Sequence, residues 1–210
     1  MNLVKLKEAE EYFFRLYPEG FDDPELQKIA KKHRLGKMNE KVHDYFSPGA
    51  FDDPYGVVEH MAKVVSASSM ISLFDKPKFK NALAVMRSEE KELLALGLKE
   101  MLHGVQANGF EIMVEILADR KLAKWPLVTI IPVYYAPLKE IFVKPTTTKA
   151  VIKTFEIEGL LYKPRPSYEF YTAYKAVLEI MKAHVDPSLA KVSNAAFTGF
   201  LMMGIKGLEE

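Results

Sequence analysis

Apolar residues return every three or four positions through most of the first 123 residues, a period that suits helices and little else. "PELQKIAKKHR" sets Leu26, Ile29, Ala30 and His33 on one face and Lys28, Lys31 and Lys32 on the other. A long helix is expected from Pro54 towards Phe74, with the small side chains of "VSASSM" letting a neighbour come close. Ser88 reads as the N-cap of "EEKELLALGLKEML", and "FEIMVEILADRK", after Gly109, reads as a helix buried on two faces.

Past Lys124 the texture changes. "PLVTIIPVYYAP" is rich in β-branched and aromatic residues, and its prolines suit an edge or bulged strand. "EIFV" and "GLLY" read as two further short strands, with "TTTKAVIKTFEI" as a helix between them. "SYEFYTAYKAVLEIMK" and "SNAAFTGFLMMGI" close the chain as helices. The expectation is an α+β fold, predominantly helical, with a two- to three-stranded sheet in the C-terminal half. It forms one domain over 1–210, divisible near Lys124 into a helical lobe, 1–123, and an α+β lobe, 124–210.

Composition removes several function classes. With no cysteine there is no disulfide, thiolate zinc site or cysteine nucleophile. A formal net charge of +1 confines any nucleic-acid or membrane contact to a local patch. The uncharged runs Trp125–Leu138 and Val192–Ile205 are fourteen residues each, too short to span a bilayer, and the N-terminus is too charged for a secretory signal. A cytoplasmic protein with no membrane partner is expected.

Paired aspartates recur in "GFDDPELQ" and "AFDDPYGV". Asp-Pro precedes a predicted helix three times, at Asp23-Pro24, Asp53-Pro54 and Asp186-Pro187. Aspartate accepts from free first-turn amides, and proline at the first helical position loses no hydrogen bond. Phe21 and Phe51 are placed to pack back as staples. Capping therefore accounts for these pairs without a Mg²⁺ site. The Glu-x-x-His pairs Glu40/His43 and Glu100/His103 match di-metal bundles in spacing, with Glu10, Glu11 or Glu59 as further carboxylates. Their periodicity points them away from the apolar faces, so no metal and no cofactor is expected. Nucleophile-elbow, dinucleotide and phosphate-loop patterns are absent, and no catalytic residue can be named.

Between Lys28 and His43 lie Lys28, Lys31, Lys32, Arg34, Lys37 and Lys41 against Glu40. A turn at "LGKM" invites comparison with a helix-turn-helix, but the turn glycine falls late and the second helix looks short. A solvated basic face is the simpler reading.

"FVKPTTTKAVI" and "LYKPRPSYEFY" share Lys-Pro-x-x-[Ser/Thr]. Each is expected to lead from a strand into a helix, where positive charge is unfavourable unless an anion offsets it. Lys144, Thr146, Thr147, Thr148, Lys149, Lys163, Arg165 and Ser167 are the candidate anion-binding residues, with Tyr162, Tyr168 and Trp125 as stacking surfaces. The chain then reads as a non-enzymatic binding or interaction protein whose partner is an anionic ligand, nucleic acid or another protein. The alternative is an enzyme acting on a phosphorylated or anionic small molecule. The bland reading has the lysines in solvent or paired with Glu140, Glu156, Glu158 or Glu169.

Overall fold

The computed structural model describes residues 1–33 and 35–209, so Arg34, one of the basic residues noted above, lies outside it, as does the Lys32 side chain. The described residues form twelve α-helices in order: α1 Leu3–Leu16, α2 Pro24–His33, α3 Leu35–Tyr45, α4 Pro54–Ala67, α5 Asp75–Ala84, α6 Ser88–His103, α7 Gln106–Ala118, α8 Trp125–Tyr135, α9 Pro145–Thr154, α10 Tyr168–Ala183, α11 Pro187–Ala190 and α12 Asn194–Leu208. Helix makes up 73% of the structure and strand 0%, which overturns the expected α+β class and its C-terminal sheet.

The reason lies in α8. Nine of its eleven residues, Trp125 and Leu127 to Tyr134, are buried. A helix buried all round carries no 3.6-residue polar period, so composition alone resembled a strand. Pro126 occupies the first turn, where no amide is needed. Pro132 sits inside the helix and has no N–H to return to the Val128 carbonyl. Thr129 Oγ1 ties the helix down by donating to the Trp125 carbonyl at 2.8 Å and accepting from the Val143 amide at 3.2 Å.

That second bond explains the missing strand at "EIFV". Ile141, Phe142 and Val143 are buried, yet no neighbouring strand pairs with them. Hydroxyls satisfy the backbone instead: Thr129 takes the Val143 amide and Tyr171 takes the Ile141 amide at 3.2 Å. "GLLY" is irregular, with Leu161 exposed.

All three Asp-Pro caps are present. Asp23 Oδ1 accepts from the Glu25 amide at 2.9 Å, Asp53 Oδ1 from Gly56 at 3.1 Å, and Asp186 Oδ1 from Ser188 at 2.8 Å. The staples differ from expectation, since Phe21 packs on Phe13 of α1, and Phe51 faces Phe46 and His103. Ser88 is the first residue of α6 rather than its cap. Glu90 reaches back to the Arg87 amide at 2.8 Å. "LGKM" is the first turn of α3, not a connecting turn. Helix α4 stops at Ala67, leaving residues 68–74 as a loop.

Helices α6 and α7 form the tightest pair. A Cβ on Gly109 would lie 2.5 Å from the Gly97 carbonyl oxygen and closer still to the Met101 amide nitrogen. Glycine at both positions lets the backbones touch. Helices α1 and α12 meet similarly, with Gly204 against Ala9. One contiguous apolar cluster runs from Leu6 to Ile205, with α8 packed against α3, α4, α6 and α7.

Candidate functional site

The first Lys-Pro segment opens on a groove of about 640 Å³. Three helices begin there: Asp75 starts α5, Trp125 and Pro126 start α8, and Pro145 and Thr146 start α9. The facing wall is the 68–74 loop, through Ser69, Ile71 and Leu73. Helix N-termini carry unpaired amides and partial positive charge, so their convergence favours an anion.

One carboxylate already uses part of that field. Asp75 Oδ1 accepts from Lys124 Nζ at 2.6 Å. The α9 corner is open. Its N-cap, Lys144, makes no side-chain capping bond, Pro145 has no N–H, and the amides of Thr146 and Thr147 meet no acceptor among the described residues. Lys144 and Thr146 are exposed, and Lys144 has no ion-pair partner among the described residues. Tyr162 closes the side of the groove, half-buried, with Lys149 Nζ 5.8 Å from its ring centre. Burial pushes the Tyr162 phenol up, so it stays a neutral donor.

The remaining predicted residues divide. Thr148 is fully buried in α9 and so is withdrawn from the groove mouth. Pro164 lines the groove but does not start a helix, since α10 begins only at Tyr168. The two Lys-Pro segments are therefore not structural equivalents. Lys163 gives its carbonyl to Trp125 Nε1 at 2.8 Å. Arg165 is held by Glu115 at 2.6 Å, and Ser167 caps α10 by accepting from the Phe170 amide at 3.4 Å. Of the three stacking candidates, Trp125 is 1% exposed and wedged against Phe110 and Phe170. Tyr168 packs its ring on Phe110 and Tyr171 and is not in the groove lining, which leaves Tyr162.

Sequence reasoning missed a buried polar network around Glu140. Tyr171 donates to Glu140 Oε2 at 2.5 Å, Gln106 Nε2 donates to the same oxygen at 2.9 Å, and Lys175 Nζ reaches Oε1 at 3.0 Å. Asn194 Nδ2 donates to the Glu140 carbonyl at 3.2 Å, tying α12 to the same strip of backbone. Burial, then the Glu140 charge, hold the Tyr171 phenol well above its ordinary range. Every oxygen of this carboxylate has a donor, so the network frames the 137–143 segment and leaves nothing to receive a substrate. A signal existed, since Tyr171 and Lys175 lie one helical turn apart, but nothing in the sequence tied them to Glu140.

The histidines are used locally. His60 stacks on Tyr45 at 3.8 Å, His43 packs on Tyr135, and His103 Nε2 lies 2.8 Å from the Phe46 carbonyl. Glu100 accepts from the Val105 amide at 2.8 Å. Among the described residues no group of three or more His, Asp or Glu is placed to hold a metal ion, and no helix is long and apolar enough to cross a membrane. Compared with protein-family models, with curated proteins and with solved structures, the chain matches none.

Proposed function

We propose that this chain is a non-enzymatic binding protein that holds a small anionic ligand, phosphate-bearing by preference, at the start of α9. The observation that carries this is the opening of three helix N-termini onto one groove, one of them, α9, with two amides that meet no acceptor among the described residues, beside a Lys144 that has no ion-pair partner among them. In this reading the Thr146 and Thr147 amides and the Lys144 ammonium take the anion. Tyr162 and Ile71 take the ligand's apolar or planar part. Burial of Trp125 and the packing of the Tyr168 ring on Phe110 and Tyr171 reduce the extended stacking surface a nucleic-acid strand needs, which favours a small molecule. Asp75, the carboxylate in the lining, is committed to Lys124, which favours binding over turnover. A cytoplasmic setting, consistent with a cysteine-free chain, belongs to the same reading.

The test is titration calorimetry with inorganic phosphate, nucleotides, sugar phosphates and short oligonucleotides, on the wild type and on Lys144→Glu. Loss of one charge-assisted contact corresponds to roughly 10- to 100-fold weaker binding. Wild-type binding that Lys144→Glu weakens by that factor, at unchanged thermal stability, supports the reading. No binding by the wild type, or equal binding by the variant, overturns it.

A further inference from the structure

The 68–74 loop joins α4 to α5 and presents two adjacent apolar side chains to solvent, Leu73 at 79% and Phe74 at 80% exposure. Such exposure is ordinary for a single residue, but not for a leucine–phenylalanine pair on a braced loop. The bracing is specific. Ser68 Oγ lies 2.8 Å from the Tyr134 hydroxyl and accepts from the Met70 amide, while Ser72 Oγ accepts from the Phe74 amide at 3.2 Å. Ile71 is turned into the core, 4% exposed, and the next two apolar side chains are turned out. The tip is therefore held in its protruding shape before any partner arrives.

Charge around the tip is one-sided. Helix α5, which follows the tip directly, carries Lys76, Lys78 and Lys80 against one acid, Asp75. Lys124 already neutralises Asp75. Lys76, Lys78 and Lys80 make no ion pair among the described residues. His33, at the end of α2, lies 2.9 Å from Ser69 Oγ, which brings the basic end of α2 to the same loop. A chain with a formal net charge of +1 thus places three lysines directly after its most exposed apolar pair.

We infer that this face is a peripheral membrane-docking surface: Leu73 and Phe74 enter the headgroup region of an anionic bilayer while the surrounding lysines meet lipid phosphates and carboxylates. An apolar tip followed by a lysine-bearing helix fits a surface that is anionic outside and apolar just beneath. A second copy docking through the same face would bring the two lysine sets together and is disfavoured. The surface adjoins the α9 groove, whose wall includes Leu73, while Phe74, Lys76, Lys78 and Lys80 lie outside the groove lining.

The experiment is vesicle co-sedimentation of the full chain, using phosphatidylcholine alone and phosphatidylcholine with about one-third phosphatidylserine, at low and high salt. Two variants accompany the wild type: Leu73→Ser/Phe74→Ser, and Lys76→Gln/Lys78→Gln/Lys80→Gln. All these positions are exposed except Lys76, which is half-buried, and circular dichroism checks that both variants fold. The wild type is expected to pellet with the anionic vesicles alone and to be released by salt. The serine pair should weaken this by about 10-fold or more, and the glutamines by about fivefold per lysine. Wild-type protein that ignores both vesicles, or a serine variant that binds as the wild type does, overturns the inference. So does a wild-type dimer in sedimentation velocity that the serine pair abolishes, because the tip would then be covered by a second copy.

Discussion

Replacing Glu140 with alanine removes the acceptor of three donors, and the cost can be assembled from what each donor does next. Lys175 is 28% exposed and Gln106 is half-buried, so both regain water and each loses only the net worth of its bond, roughly 0.5–1.5 kcal/mol. Tyr171 is 0% exposed and cannot be rehydrated. Its hydroxyl still accepts from the Ile141 amide, but its proton is left without an acceptor, a loss of about 1–3 kcal/mol. The sum is about 2–6 kcal/mol, which brackets the loss for breaking a buried pair from one side. Glu140→Gln keeps the volume and one acceptor and should lose less. Urea unfolding followed by fluorescence is well suited, because Trp125 is the sole tryptophan and is buried. A double-mutant cycle with Tyr171→Phe should return a coupling of at least about 1 kcal/mol. A loss below about 1 kcal/mol for Glu140→Ala, or additive effects in the cycle, would refute the claim that the network is dry and cooperative.

Two further expectations follow from the same packing. Gly109→Ala places a methyl against backbone atoms of Gly97 and Met101, which cannot rotate aside, so it should cost about 3 kcal/mol or more. Gly36→Ala, in α3 with nothing within 4 Å, should instead gain about 0.5–1 kcal/mol, and thermal melts of the pair that fail to differ in sign would refute the close-contact reading. Burial raises the phenols of Tyr134, Tyr171 and Tyr174 above the ordinary 10.0. Because the unfolded chain loses these protons first, their stability is intact below pH 10 and declines above it, by up to about 1.4 kcal/mol per pH unit for each tyrosine. Absorbance at high pH should show these phenolates emerging together with loss of helix, and smooth titration of all ten tyrosines near pH 10 with helicity retained would contradict this.

Helix starts were legible because capping is local. Asp23, Asp53 and Asp186 each bond an amide two or three residues on, so sequence neighbours contain the whole interaction. Periodicity worked where one face is wet, as in α10. It failed at α8, whose environment is apolar on every side. There, length was the better guide: eleven consecutive helical residues exceed the usual strand, and Pro126 sits where a helix accepts proline. The buried segment at Ile141 failed for another reason. Its composition is that of a strand, but its amides are met by hydroxyls of Thr129 and Tyr171, partners 14 and 30 residues away that no local pattern announces.

The same distinction governs the candidate site. The electrostatic argument about cations at a helix start could be made from the sequence, and its candidates included Lys144, which has no ion-pair partner among the described residues and lies beside two amides that meet no acceptor among them. It could not separate the two Lys-Pro segments, because their difference is tertiary: Glu115 neutralises Arg165, Trp125 claims the Lys163 carbonyl, and Ser167 is spent on its own helix. Nor could it show that α5 and α8 begin beside α9. A sequence can mark a helix end as electrostatically unbalanced, but whether several such ends share one groove depends on how the helices are packed. Here the packing adds Asp75 and Lys124 as an internal ion pair, which answers one corner of the positive field and leaves the α9 corner open. That residual imbalance, more than the lysine count, is what makes Lys144 the residue to change first.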